Sequence, residues 1–202
     1  MSHVNSPPGQ PNARRSAILA AAIGVFARFG YRKTSMDDVA TAVNISRQAL
    51  YLHFSSKEVL FRATVEFALE QHVEAATDVL DKRNASVKAR LVAAIDAWVG
   101  QYIGQLGPDA LDLQASSSSM AADVLTSYGG KFEAALAEVI STEGIARSYA
   151  VAKLSARDLA RSLHLTAQGA KQASRSHEEF VEAVEIAVLI LLNPSAGGKK
   201  AR

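Results

Sequence analysis

An all-α fold is predicted for this 202-residue chain by three observations. Apolar residues recur at three- and four-residue spacing in segment after segment, which is the period of a helix face. Ser or Thr followed by an acid or amide about three residues later, a helix N-terminus signature, opens several of these segments. No segment alternates apolar and polar residues as a half-buried strand does. About nine helices are expected, as a small N-terminal domain followed by a larger helical body.

Taken in order, residues 1–12 are rich in Pro, Ser, Asn and Gly and are expected to form a disordered arm. Ile18, Ala22, Val25, Phe26 and Phe29 then share one helical face. Arg14-Arg15 before AILAAAIGVFA has the charge and hydropathy of a signal peptide. However, Arg28 interrupts the run, which is far below the ~20 residues that span a bilayer. It reads as a core helix. Thr34 or Ser35 caps the next helix, with Asp37 or Asp38 after it, and Val39, Ala40 and Val43 point inward. Asn44 tolerates the left-handed backbone of a tight turn, Ile45 plugs the core, and Ser46 caps a helix from Arg47 to about Phe54. Two short capped helices joined by a tight turn form a helix-turn-helix at about 35–54, within a domain 13–60.

The second of those helices has the chemistry of a DNA-reading surface. Leu50 and Phe54 face inward, and Arg47, Gln48, Ala49 and Tyr51 face outward. Gln pairs with adenine, Arg with guanine, and Ala touches a thymine methyl. Ser55-Ser56-Lys57-Glu58 opens a further helix, whose free amides and Lys57 suit a phosphate. Thr34 and His53 are placed to add contacts to the DNA backbone. With the capping Ser35 and Ser46, these residues are the candidate DNA-binding set. Charge supports it: residues 1–60 hold seven Lys or Arg against three acids, while the remainder has a slight acidic excess.

The body, 61–193, reads as helices throughout. One continues to about Lys82, with Val65, Leu69, Val73, Ala76 and Leu80 inward. Ser86 opens another to Ile103, and a short helix from Asp109 to about Ala115 precedes the serine run 116–119. Met120, Val124, Tyr128, Phe132, Leu136 and Ile140 repeat every fourth residue, in a helix that Gly129-Gly130 is expected to bend. Ser155 with Asp158, and Ser176 with Glu179, open the last two helices before Asn193-Pro194. The tail, 194–202, is expected to be disordered. The final helix is apolar on several sides after Glu185, and such a helix needs more than one neighbour. The sequence has no cysteine, so thiolate catalysis, disulfides and thiolate metal sites are excluded. Five scattered histidines, with no carboxylate pair or nucleophile–base set, give no catalytic residue, metal site or cofactor.

Within residues 14 to 62 the chain resembles the N-terminal domain of the TetR family of transcriptional repressors. The resemblance rests on the apolar helix Ile18 to Phe29, Gly30-Tyr31, Thr34-Ser35, Val39-Ala40 and Ile45-Ser46. Leu50-Tyr51, His53-Phe54 and Ser56-Lys57-Glu58 complete it. Asn44 stands where the family usually has Gly, and Gln48 where small residues are frequent.

The resemblance implies a cytoplasmic, non-enzymatic homodimer on a palindromic operator, with recognition helices ~34 Å apart. It implies that the last two helices pack against their copies, through Ala167, Ala170, Val184, Val188 and Leu191. The alternative is that this stripe lies inside one subunit. It also implies a cavity for a small effector, with Trp98, Tyr102, Gln114, Met120, Tyr128, Phe132, His164 and Gln168 as lining or as plain core. A mainly apolar or aromatic effector that releases a repressor is the expectation. The alternatives are a regulator of the same fold controlled by a protein partner, and a helical carrier or enzyme with a coincidental helix-turn-helix.

Overall fold

The computed structural model describes residues 11–101, 103 and 110–194, without the side chains of residues 11, 12 and 110–114. Among the described residues there are nine α-helices and no strand. They are α1 (Pro11–Lys33), α2 (Met36–Ala42), α3 (Arg47–His53), α4 (Lys57–Leu80), α5 (Val87–Val99), α6 (Ala110–Met120), α7 (Ala122–Thr142), α8 (Ala156–Ala173) and α9 (His177–Leu192). A 3₁₀ helix, Ile145–Ala152, precedes α8. No described helix is long and apolar enough to cross a membrane.

The described residues form two compact units. One holds residues up to 69 together with 110–125, and the other holds 70–103 and 126–194. The first unit therefore gathers α6 with the N-terminal helices, which a boundary at residue 60 does not convey. Its core is built from Ile18, Leu19, Ala22 and Phe26 of α1, Val39 and Ala40 of α2, Leu50 of α3, and Phe54, Leu60 and Phe61. Phe61 meets Phe26 edge-on, with ring centroids 5.0 Å apart, a favoured aromatic geometry. Gly30 ends the regular part of α1 with φ 73° and ψ 171°, which a side chain resists. Thr34 Oγ1 closes that turn by donating to the Gly30 carbonyl at 2.7 Å. Arg62 of α4 donates to the Met120 carbonyl at 3.1 Å and grips both carboxylate oxygens of Asp123.

In the second unit, α5, α7, α8 and α9 enclose Leu91, Ile95, Phe132, Leu136, Leu163, Phe180 and Val188. The buried Arg90 guanidinium donates to the Leu80 carbonyl at 2.9 Å and to the Glu143 carboxylate. Tyr149, on the 3₁₀ helix, donates to the Leu191 carbonyl near the end of α9 at 2.9 Å.

Several elements differ from expectation. Pro11 and Asn12 already belong to α1, as Pro suits a first helical turn. The rest of the expected arm, and the tail from 195, lie outside the described residues. Helix α5 ends at Val99, with Gly100 as its cap, rather than at Ile103. The serine run is helical to Met120, because Ser disfavours a helix interior only weakly. Gly129-Gly130 does not interrupt α7, which is continuous from Ala122 to Thr142; a Cβ on Gly129 would lie 3.6 Å from the His164 ring, an ordinary packing distance. The 3₁₀ helix carries no buried residue and so left no periodic apolar signal.

Candidate nucleic-acid interface

The helix-turn-helix is fixed by its caps. Of the possible caps for α2, Ser35 is the one used. Its hydroxyl accepts from the Asp38 amide at 3.2 Å, and the Asp38 carboxylate accepts from the Ser35 amide at 2.7 Å. Hydrogen bonds from the Ser35 hydroxyl and amide hold the Asp38 carboxyl below its ordinary range. Asn44 adopts φ 53°, the left-handed turn that Asn tolerates. Ser46 caps α3 by accepting from the Ala49 amide at 3.1 Å. Leu50 and Phe54 are buried, which fixes the rotation of α3 about its axis.

The outward side carries Arg47, Gln48 and Tyr51 exposed, with Ala49 and His53 half-buried. Arg47 does not hang free: its guanidinium pairs with Asp37 of α2 at 3.0 Å and lies 5.6 Å from the Tyr51 ring centre. Asp37 thus belongs to the surface and was not expected there, since pairing across the turn leaves no trace in spacing. Leu52 was also missed. It is 84% exposed, and an apolar residue one turn after Gln48 was the available signal.

Two members of the predicted set sit differently from expectation. Thr34 is buried, with its hydroxyl bonded to Gly30, so its side chain faces the protein interior rather than DNA. Lys57 points its ammonium at the end of α1, donating to the carbonyls of Tyr31 at 3.0 Å, Thr34 at 3.1 Å and Arg32 at 3.4 Å. It also lies 4.3 Å from the Tyr31 ring centre. A cation at a helix C-terminus satisfies carbonyls that lack intrahelical partners. The Tyr31 hydroxyl donates to Glu58 at 2.8 Å, and burial together with that carboxylate pushes its pKa up to about 12.

Among the candidate effector residues, four come together. Trp98 stacks on Phe132 with centroids 5.3 Å apart, and Phe132 meets the His164 ring edge-on at 5.3 Å. The Trp98 indole donates to His164 Nε2 at 3.0 Å, and the Gln168 amide lies 3.0 Å from the same nitrogen. The indole is only a donor, which puts the ring proton on Nδ1, where Glu133 accepts it at 2.9 Å. Glu133 was not foreseen. Met120 belongs elsewhere, packed against the core of the first unit. Tyr128 is buried beneath Lys131, whose ammonium lies 3.9 Å from its ring centre. Tyr102 and the side chain of Gln114 lie outside the described residues.

The expected interface stripe is corrected. Ala167, Val184, Val188 and Leu191 are buried in the subunit's own core, and Ala170 packs partly buried against it. On α8 and α9 the large apolar residues left in solvent are Leu165, Ile186, Leu189 and Ile190. Helix α9 has two apolar faces, and Val184, Val188 and Leu191 lie on the inner one.

Against known proteins, residues 18–64 match the family model described as bacterial regulatory proteins, tetR family. These residues form a TetR-family domain. They include the whole helix-turn-helix and the opening of α4. Curated relatives match part of the chain as well. The chain is 34% identical over 85 residues to the transcriptional activator FasR of Mycolicibacterium smegmatis, covering 42% of this chain and 38% of that protein. It is 38% identical over 52 residues to IcaR of Staphylococcus epidermidis, a negative transcriptional regulator of a biofilm operon, covering 26% of this chain and 28% of that one. The aligned part thus spans under two fifths of either relative. Beyond the TetR-family domain the fold itself is shared. A TetR-family regulator from Mesorhizobium loti superposes with TM-score 0.68 at 20% identity, over 92% of this chain and 98% of its own. GusR of Salmonella enterica does so with TM-score 0.66 at 23% identity, over 93% and 100%.

Proposed function

We propose that the chain is a sequence-specific, DNA-binding transcriptional regulator of the cytoplasm. It acts as a homodimer that represses by occupying a palindromic operator and leaves when a small, mainly apolar or aromatic effector binds the helical body. The observation that carries this reading is α3. Its inner side is locked by buried Leu50 and Phe54, while Arg47, Gln48 and Tyr51 stand exposed on the other. A rigid helix with such side chains suits the major groove, where base edges are distinguishable. FasR and IcaR, each similar to part of this chain, are both described as transcriptional regulators.

Dimerisation is supported by the exposed apolar face of Leu165, Ile186, Leu189 and Ile190, beside the exposed Gly169, where helices can approach closely. Twofold pairing would set two recognition helices ~34 Å apart. Effector control is supported by the aromatic and polar grouping of Trp98, Phe132, His164 and Gln168. An effector acts only through different affinity for the DNA-bound and free states. The second reading, control by a protein partner, is favoured by the stacking of Trp98 directly on Phe132, which leaves no room between those rings.

Selection from a randomised duplex library by the purified full chain, followed by footprinting, tests the proposal. An enriched twofold sequence protected on both halves is expected. Absence of any enriched sequence would overturn it. Thermal shifts with a small-molecule library separate the two modes of control.

A further inference from the structure

We infer that Leu52 is a specificity-determining residue that reads a thymine methyl in each operator half-site. The inference rests on the DNA-binding reading above and deepens it by naming a base. Leu50 is wholly buried, and two residues further along a helix lie roughly 200° around its axis. Leu52 therefore projects almost directly away from the core, and it is 84% exposed. Burial of Leu50 and Phe54 on either side prevents α3 from rolling to hide it. Its neighbour one turn earlier is the exposed Gln48. Arg47 is already held by Asp37 at 3.0 Å and lies against Tyr51. Beside that pair, the exposed tips on this face include one amide, Gln48, and one branched alkyl group, Leu52.

Duplex DNA is the occupant that fits them. Residues 1–60 carry seven bases against three acids, complementary to phosphates. In the major groove only thymine presents a methyl, and an amide pairs bidentately with adenine. Gln48 and Leu52 together therefore select A·T pairs within the same few base steps. Leaving an alkyl group in water in the free protein and burying it on one methyl is a contact that no other natural base repeats.

Replacing thymine by deoxyuridine removes that methyl alone, so the test is a scan of the selected duplex, one position at a time in both half-sites. Binding of the full chain and of Leu52→Ala is measured by anisotropy, with thermal melting confirming that the variant is folded. One thymine per half-site is expected where methyl removal weakens wild-type binding roughly fourfold, the worth of one buried methyl-sized group. At that position Leu52→Ala should be insensitive. Equal sensitivity of both proteins at every thymine, or none anywhere, would overturn the assignment while leaving the regulator intact. Failure to select any duplex would instead overturn the DNA-binding reading, and this inference with it.

Discussion

Replacing Lys57 with Ala separates two accounts of that residue. As a phosphate ligand, it would contribute to binding of any DNA and leave the fold alone. The structure instead gives its ammonium two hydrogen bonds near 3 Å, to the Tyr31 and Thr34 carbonyls, and a longer one to Arg32. It also rests 4.3 Å from the Tyr31 ring centre. Hydrogen bonds to charged groups contribute roughly 1.5–3 kcal/mol, and a cation over an exposed ring about 0.5–1 kcal/mol. Water can replace part of this at a half-buried site, so Lys57→Ala should destabilise by about 2 kcal/mol. In a chain of this size that lowers Tm by about 4–8 °C. Circular dichroism melting measures the loss, and anisotropy across a salt series measures the charge. Below the melting range, the slope of log affinity against log salt should match the wild type. A slope smaller by about 0.9 per protomer, with Tm unchanged, would refute the capping role.

Other outcomes follow from the same structure. Ile190→Arg, at a site 68% exposed, should give folded monomers in sedimentation, whereas Leu191→Arg, inside the core, should unfold the second unit. Dimers that persist in folded Ile190→Arg would move the interface elsewhere. The hydrogen bond from Arg62 is the main cause holding the Asp123 pKa down at about 2. A folded value below the unfolded one means that its stabilisation is present above pH ~4. It is lost as pH falls toward about 2. Asp123→Asn should therefore flatten the acid-induced loss of stability in that window, and an unchanged acid profile would show the pair to be idle.

The head of the molecule was legible because local chemistry and burial coincide there. Ser35, Asp38, Asn44 and Ser46 each announce a cap or turn within four residues, and each occupies that role. Leu50 and Phe54 are spaced as core and are core. What failed depends on groups far apart in sequence. Lys57 meets carbonyls some 25 positions earlier, Arg47 meets Asp37 across the turn, and Glu133 meets His164 between helices. Periodicity carries no record of such pairings. The choice between two apolar faces of α9 was likewise open, because spacing shows that Val184, Val188 and Leu191 share a side but not whether a neighbour of the same subunit covers it. The serine run and Gly129-Gly130 misled for the opposite reason: their local preferences against helix are too weak to break one, and both lie within continuous helices.

The central claim is that α3 reads a DNA sequence. It is tested most directly by anisotropy of wild type and Gln48→Ala on the selected duplex and on a scrambled one, across a salt series. The account predicts tight, salt-dependent binding of the wild type to the selected duplex. It predicts a loss of roughly 1–3 kcal/mol in Gln48→Ala, confined to that duplex, so that preference over the scrambled sequence shrinks. Equal, weak binding of both duplexes by both proteins would contradict it.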